Sequence, residues 1–383
     1  MKNVELMMAG MLALALGVGC LTGCGGGDNG APAPSPAPTA TATPRTLGFQ
    51  GLGVLTEHLS SRARAVSANG NAVVGSSTDS QGVAEAFHWT AAAGMIGLGN
   101  LPDRPNSEAN AVSADGTVVG GTSAFLDLFD AFQWTMATGI TKLAVTSTDP
   151  PPEAVTGISA DGTVLVGLAN FQYNDPVAFR WTAAGGLQQL GFLSGATGAS
   201  VATSVSADGG VITGESTMST TTVAFRWTSA GGMVALPLAT GTVGAEGFAI
   251  SPDGTVIVGS SAITLSPPIP FKASLWSSTG SAALLGDLPG GEQTSVARAV
   301  SQNGAVVVGQ VNLISAFEHV AFIWDATHGM RPLQNVLTDA GLESELAGWT
   351  LENAGGISAD GQVIVGSGQS PAGREEAFVA TLP

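Results

Sequence analysis

The sequence predicts an all-β fold, a seven-bladed β-propeller built from four-stranded blades. Three observations support this prediction: one short phrase recurs seven times, each copy holds four strand-like segments, and the two ends of the repeat region complement each other. The composition agrees, because the 383 residues include 54 Gly and only 11% charged residues. Glycine is disfavoured inside helices and suits tight turns between strands.

The repeated phrase is Val/Ile-Ser, one variable residue, and then Asp-Gly or Asn-Gly. Its serine occurs at Ser67, Ser113, Ser159, Ser206, Ser251, Ser301 and Ser358. The steps between successive serines are 46, 46, 47, 45, 50 and 57 residues. A period near 45 residues accommodates four short strands with their turns, which is typical of propeller blades.

Each copy supplies four predicted strands, A to D. Strand A ends in the phrase, whose Asp-Gly or Asn-Gly favours a tight turn. Strand B is the apolar run that follows, and it ends in a glycine eight residues after the serine. Strand C is Ala-Phe-x-Trp, as in Ala178–Trp181, and its alternation predicts one buried face. Strand D follows a glycine-rich turn, as in Gly94–Leu98.

The two ends of the repeat region predict a closed ring. The seventh copy ends with strand C at Ala377–Pro383, with Ala380 at the position of Trp. The segment Leu47–Leu55 matches strand D of the next copy. We therefore expect the first strand to complete the last blade, which leaves no open sheet edge. An open solenoid would instead need atypical capping repeats.

The N-terminal region predicts export. The apolar run Leu6–Val18 is too short to span a membrane and fits a signal peptide. The following Leu21–Cys24 resembles the lipobox of bacterial lipoproteins, which implies that Cys24 is lipidated after cleavage. The alternative is an ordinary signal peptide with two incidental cysteines.

These features divide the chain into a lipoprotein signal peptide at 1–23, a Gly/Pro/Ala/Thr-rich tether at 24–45 and the propeller at 46–383. At roughly 3 Å per residue, an extended tether of about 20 residues reaches about 60 Å. Because Gly25 rather than Asp follows Cys24, the resemblance implies the outer membrane or cell surface in a Gram-negative host. We therefore expect the lipid chain on Cys24 to make the membrane one partner of this protein.

The connections between strands B and C vary most among the copies, and they should lie on one face of the ring. These connections are Ser123–Asp130, Leu168–Pro176, Ser260–Phe271 and Gln310–His319. Because binding residues are often carried by loops on a rigid scaffold, we take this face as the binding side. The candidate residues are Phe125, Phe129, Phe171, Tyr173, Phe271, Phe317 and His319. The alternative is unselected variation, with some of the aromatic side chains turned inward.

No pattern in the sequence indicates a catalytic residue, a cofactor or a metal site. The four histidines, His58, His88, His319 and His328, lack metal-ligand spacing and are each expected at the surface. The single Asp of each phrase is expected to serve its turn rather than calcium. Arg180 and Arg226, between Phe and Trp of strand C, are expected to face solvent or an acid of the next blade.

The net charge of −17 argues against a nucleic-acid partner, because phosphate groups would be repelled. We expect a monomer that binds a protein or glycan of unknown identity. One further element is predicted within Pro332–Leu351, where Leu333, Val336, Leu337 and Ala340 have the spacing of a helix face. This helix is expected to pack against the ring rather than to carry function.

The repeated motifs Val-Ser-Ala-Asp-Gly, Val-Val-Gly-Ser-Ser and Ala-Phe-Arg-Trp-Thr resemble those of the HAF family of bacterial extracellular repeats over residues 46 to 383. The His of the family's His-Ala-Phe triplet is replaced in every copy, for example by Glu85 and Asp130, so no role of that His carries over. In the fifth copy, Ser274 also stands where Phe is usual. The resemblance implies an extracellular location and a shape, but no chemistry.

Two functional classes follow. The first is a non-catalytic binding or scaffold module at the cell envelope, and the near-equal repeats favour it. The alternative is a hydrolase or lyase that acts on a polysaccharide or another polymer. A cluster of Asp or Glu side chains with perturbed pKa values in the central funnel would favour the enzyme.

Overall fold

The computed structural model describes residues 45–146, 149–169, 176–196, 198–266, 269–290, 293–313 and 318–382. These residues form seven antiparallel four-stranded sheets, one for each repeat, arranged as the blades of a ring. In each sheet the strands lie in the order A, B, C, D, so the predicted propeller is confirmed.

The first three blades lie in direct chain order. Blade 1 contains β2 (His58–Val66), β3 (Ala72–Asp79), β4 (Ala84–Thr90) and β5 (Gly94–Gly97). Blade 2 contains β6 (Asn106–Val112), β7 (Val118–Phe125), β8 (Leu128–Thr135) and β9 (Gly139–Lys142). Blade 3 contains β10 (Pro152–Ile158), β11 (Leu165–Ala169), β12 (Val177–Thr182) and β13 (Gly186–Gly191).

Blades 4 to 6 repeat this order, and the last blade includes the first strand. Blade 4 contains β14 (Ser200–Val205), β15 (Val211–Thr217), β16 (Thr222–Thr228) and β17 (Gly232–Ala235). Blade 5 contains β18 (Gly244–Ile250), β19 (Val256–Ala262), β20 (Phe271–Ser277) and β21 (Ala282–Leu284). Blade 6 contains β22 (Gln293–Val300), β23 (Val306–Leu313), β24 (Glu318–Asp325) and β25 (Gly329–Pro332). Blade 7 contains β26 (Thr350–Ile357), β27 (Val363–Gln369), β28 (Glu375–Thr381) and β1 (Gly48–Gly53).

Strand β1 closes the ring as strand D of blade 7, in register with β28 from Gly48 opposite Thr381 to Gly53 opposite Ala377. The seam uses the same inter-blade bonds as other blade pairs. Ser61 Oγ accepts from the Ala377 N–H (2.9 Å) and donates to the Gly53 carbonyl (2.6 Å). Ser107 makes the equivalent bonds between blades 1 and 2. The predicted closure is therefore confirmed in both pairing and packing.

The A strands form the innermost layer, since each packs against the A strand of the next blade and β26 packs against β2. Backbone hydrogen bonds link the A–B turns around this layer. The donor and acceptor pairs are Asn69–Ala114, Ala114–Ala160, Ala160–Ala207, Ala207–Pro252, Gln302–Ala359 and Ala359–Ala68. The step from blade 5 to blade 6 would need an N–H from Pro252, which proline lacks. These bonds tie the turns of neighbouring blades into one rim.

Each A–B turn is held by the serine of its own phrase. In blade 2, Ser113 Oγ accepts from the Val118 N–H (3.0 Å) and donates to Asp115 Oδ1 (2.7 Å). Hydrogen bonds from the Thr117 N–H and, to a smaller degree, from the Ser113 hydroxyl lower the pKa of the Asp115 carboxyl group. The Asp of the phrase is thus engaged within its turn, where short polar side chains commonly bond the backbone.

A bulge in strand A explains the glycine that recurs in strand B. Every A strand shifts register three residues before the phrase serine, for example between Ala154/Val155 and Gly157 in blade 3. The bulge brings a strand A carbonyl against the glycine, so that a Cβ there would lie 1.9 to 2.0 Å from its oxygen. The seven glycines are Gly75, Gly121, Gly167, Gly214, Gly259, Gly309 and Gly366. Only a residue without a Cβ fits this contact.

The core lies between the blades and is built from strand C. The Phe of this strand is fully buried in six blades, at Phe87, Phe132, Phe179, Phe225, Phe322 and Phe378. In blade 5 the buried Ser274 replaces it and donates to Ser261 Oγ (2.8 Å). Trp276 in the same strand is also buried, and its Nε1 donates to the Pro237 carbonyl (2.8 Å).

The predicted helix is present but short, as α1 (Leu333–Asp339). Its Leu333 and Leu337 are fully buried against blades 6 and 7, where Trp349 and Phe49 also pack. Phe49 and Trp349 meet edge to face at 5.2 Å. This cluster compensates for Ala380, which leaves blade 7 without the Trp of strand C. Within the described ranges, no helix is long and apolar enough to cross a bilayer.

Candidate functional site on the loop face

The blade order defines two faces of the ring. The A–B and C–D turns lie on one face, which we call the turn face, and the B–C and D–A connections lie on the other, the loop face. Eight of the eleven exposed large apolar side chains of the described residues belong to the loop face. They are Leu59, Phe125, Leu126, Leu128, Phe192, Leu238, Val243 and Leu265. Exposed apolar groups concentrated on one face are typical of an interaction surface.

The most exposed of these side chains lie on one hairpin. The sequence predicts an irregular connection at Ser123–Asp130, but this prediction is wrong, because β7 and β8 continue through it and pair Phe125 with Leu128. Only Leu126 and Asp127 remain as the turn. We call Phe125–Leu128 the blade 2 tip. Leu126 is 78% exposed, and Phe125 and Leu128 are 44% and 45% exposed.

The backbone at the blade 2 tip is strained. Leu126 has a φ of 52°, in the left-handed region that costs a residue with a Cβ about 1–2 kcal/mol. Two-residue hairpin turns usually place Gly, Asn or Asp at such a position. The chain therefore holds a large apolar side chain in solvent at a position that favours glycine on structural grounds.

A buried ion pair fixes the base of this hairpin. Asp130, in β8, is 8% exposed, and its Oδ2 lies 3.0 Å from Arg104 Nη2. Its other carboxylate oxygen bonds Lys142 of β9. Ser123 of β7 accepts the Leu101 N–H (3.1 Å) and donates to the Asn106 carbonyl (2.9 Å). The tip is thus presented on a rigid support.

The other predicted binding residues are spread over the same face. Phe129 pairs with Ala124 and is half-buried beside the blade 2 tip. Phe271 begins β20 in blade 5 and is half-buried, whereas His319 is exposed near the start of β24 in blade 6. Phe171, Tyr173, Phe317 and Cys24 lie outside the described residues. Phe125 and Phe129 lie on the same hairpin, with Phe125 opposite Leu128 and Phe129 opposite Ala124.

A second group of charged and polar side chains lies where blades 6, 7 and 1 meet. We call Arg62, His319, Glu352, Gln369 and Glu375 the seam cluster. Arg62 Nε lies 2.6 Å from Glu375 Oε1. Burial raises the pKa of Glu352, and the charge of Glu375 raises it further. A hydrogen bond from Gln369 lowers this pKa in part. The nearby His319 and Arg62 also lower this pKa.

Sequence reasoning singled out His319 but missed Glu352. The signal was available in the repeat, because Glu352 lies six residues before the phrase serine, where four copies have Ser and blade 3 has Glu153. In those copies the serine joins neighbouring blades, as Ser61 and Ser107 do. Glu352 lies in a bulge of β26, and Glu153 of blade 3 lies in the corresponding bulge of β10.

A third feature is a pair of carboxyl groups between blades 4 and 5. Glu215 lies in β15, and Glu246 lies in the innermost strand β18. Burial and the charge of Glu246 raise the pKa of Glu215 well above its usual value. Burial also raises the pKa of Glu246, against a hydrogen bond from Ser260 (3.0 Å) and the charge of Arg298. Perturbed acids therefore do occur beside the inner layer.

The prediction that all four histidines are surface residues is wrong for His88. It is 8% exposed in strand β4, and its Nε2 lies 3.0 Å from the Gly116 carbonyl of blade 2. Burial lowers the pKa of His88. Arg226, at the same position of blade 4, likewise donates to the Gly254 carbonyl (2.7 Å) of the next blade. This position links neighbouring blades rather than facing a ligand.

The described chain begins on the turn face. Arg45 donates to the Asn69 carbonyl in an A–B turn, and its Nε lies 3.4 Å from Asp360 Oδ2 in the A–B turn of blade 7. Strand β1 then runs from this face toward the loop face, where the Gly53 N–H bonds Glu376 Oε1 (3.0 Å). Arg45, the first residue that the structure describes, therefore lies on the face opposite the exposed apolar side chains.

Comparisons with known proteins show the fold alone. No protein-family model matches the chain, and no curated protein matches its sequence. The oligogalacturonate lyase from Vibrio parahaemolyticus is similar in structure, with a TM-score of 0.52, 10% identity, and coverage of 88% of this chain and 98% of that one. The virginiamycin B lyase from Staphylococcus aureus gives 0.52 and 13%, with coverage of 88% and 100%.

Two further similar structures vary in how much of each chain aligns. The β-propeller domain of the Trilobed protease from Pyrococcus furiosus, which has an open velcro topology, gives a TM-score of 0.51 and 10% identity, covering 84% of this chain and 95% of that one. TolB from Acinetobacter baumannii gives 0.48 and 14%. That alignment covers 68% of this chain and only 63% of the TolB chain.

Proposed function

We propose that this protein is a non-catalytic binding module of the cell envelope, which engages its partner through the loop face. The observation that carries the proposal is the concentration of exposed apolar side chains on that face. The turn face, in contrast, is tied together by hydrogen bonds between neighbouring turns. Apolar groups kept in solvent on a rigid ring are best explained by a surface that they contact.

The chemistry of the loop face favours a protein over a glycan. Among the residues that the structure describes, its exposed large apolar side chains are six aliphatic residues and two Phe. The Trp side chains of strand C are buried in five blades, at Trp89, Trp134, Trp181, Trp227 and Trp276. The flat indole rings are therefore buried in the core, while aliphatic groups suited to a protein interface remain exposed.

The N-terminal features support a location at the envelope. The lipobox-like Leu21–Cys24 and the HAF-like repeats both imply an exported protein. The described chain enters the ring at Arg45, on the turn face. Cys24→Ser should move the protein from the membrane fraction to the soluble fraction of its host cells. Cys20→Ser is the matched control and should leave fractionation unchanged; release by both variants or by neither would contradict the anchor.

The seam cluster favours a second candidate, a hydrolase or lyase that acts on an envelope polymer. Burial and the charge of Glu375 raise the pKa of Glu352, and a carboxyl group with a raised pKa is a candidate general acid. The two functions make opposite predictions for polymer length.

One incubation separates the two functions. The full chain is mixed with purified envelope polysaccharides and peptidoglycan, and the size of each polymer is followed by chromatography. The binding function predicts unchanged polymer size. The exposed variant Glu343→Gln serves as the control. If the wild type and Glu343→Gln both shorten a polymer and Glu352→Gln does not, the non-catalytic proposal is overturned and the second candidate is established.

A further inference from the structure

The blade 2 tip is the most unusual part of the loop face. It combines the highest exposure of any large apolar side chain among the described residues, 78% at Leu126, with a backbone φ of 52° at the same residue. Glycine at this position would remove both the exposed side chain and the strain. A residue that is unfavourable both in solvent and in its own turn needs an explanation outside the isolated ring.

We infer that the blade 2 tip is an anchor that inserts Leu126, flanked by Phe125 and Leu128, into an apolar pocket of a protein partner. The inference rests on the proposed function, and it names the part of the loop face that dominates binding. A few residues that fill desolvated pockets commonly supply most of the binding energy of an interface. The rigid base at Asp130 lowers the entropy that such an anchor loses on binding.

A protein is a better occupant than a bilayer. The blade 2 tip, Phe125–Leu128, contains Asp127 and no Lys or Arg that would pair with lipid phosphates. The net charge of −17 also opposes an anionic lipid surface. The exposed Asp127 beside Leu126 indicates the chemistry of the pocket, which should be apolar with Lys or Arg at its rim.

Site-specific photo-crosslinking in the host cells tests the inference with the full chain. A benzophenone side chain is placed at Leu126 on the tip, at Leu265 on the loop face of blade 5, or at Met136 on the turn face, which is 75% exposed. We expect a protein adduct from position 126 and none from position 136. Mass spectrometry of the adduct identifies the partner, which is then purified.

The purified partner provides the decisive comparison. Leu126→Gly should weaken its binding at least tenfold without lowering the melting temperature, since glycine is favoured at a positive φ. Met136→Ser, which removes an exposed apolar side chain from the turn face, should leave binding unchanged. Equal affinity of the wild type and Leu126→Gly would overturn the anchor.

The crosslinking results also separate failure of the anchor from failure of the proposed function. Protein adducts from position 265 but not 126 would overturn the anchor and leave the loop face as the binding surface. Adducts from position 136 alone, or from no position, would overturn both. Adducts of lipid at position 126 would show that a bilayer, rather than a protein, is the occupant, and would also overturn the inference.

Discussion

Glu215 and Glu246 show how the ring changes the chemistry of single residues. The two carboxyl groups are 31 positions apart in the chain, and packing of blade 4 against blade 5 brings them into electrostatic contact. Burial and mutual repulsion both oppose ionisation, so the proton is held more tightly in the folded protein. Ser260 and Arg298 counteract this effect at Glu246 alone.

The raised pKa of Glu215 predicts how stability depends on pH. An unfolded Glu has a pKa of about 4.3. Because the folded pKa is higher, the pair contributes most stability below the unfolded value, and this contribution is lost as pH rises through the folded pKa. Glu215→Gln cannot ionise, so it should melt a few degrees above the wild type at pH 8, with a smaller difference at pH 4.5.

Thermal unfolding followed by circular dichroism at several pH values measures this difference. Glu343→Gln, at an exposed position, controls for the general effect of removing one negative charge from an acidic protein. A Glu215→Gln variant that melts below the wild type at pH 8, or that differs from it equally at both pH values, would contradict the account.

The role of a single residue can be predicted from the sequence when that residue follows the repeat or visibly departs from it. The seven strand B glycines are visible in the sequence, but their cause is a contact with the strand A bulge that only the structure shows. Glu352 could have been found as a departure from Ser at one repeat position. The partnership of Glu215 with Glu246 could not, because their positions in the repeat do not indicate which side chains meet across blades.

At the scale of elements, the repeat predicted strand order well and strand length poorly. Alternation in Ala-Phe-x-Trp predicts strand C correctly, because one face of that strand is buried in every blade. Strands β7 and β8 extend further than predicted, because Phe125 and Leu128 pair by their backbones although their side chains are exposed. Hydrophobic patterning reports burial, and it therefore misses strand segments that project beyond the core.

The helix illustrates the reverse case. Spacing of Leu333, Leu337 and their neighbours predicts it because these side chains are buried on one face. Its purpose follows from the structure: α1, with Trp349 and Phe49, fills the space beside Ala380. An element that interrupts the repeat here restores the packing that the repeat itself supplies elsewhere.

At the scale of the whole molecule, the closed ring assigns different tasks to the two faces. The turn face carries the linked A–B turns and the entry of the chain at Arg45. The loop face carries the exposed apolar side chains and the seam cluster. Closure by β1 holds the two faces together at the seam, because without it β28 would be a free edge.

Hydrogen exchange of strand β28 tests this closure most directly. In the full chain, β28 lies between β27 and β1, so the peptide covering Glu375–Thr381 should exchange as slowly as the equivalent strands β12 and β16. Backbone amides engaged in stable sheets exchange slowly, whereas those of an unpaired edge exchange faster. Slow exchange of β28, matching β12 and β16, is the result that the closed ring predicts. Exchange of β28 much faster than that of both reference strands would contradict it.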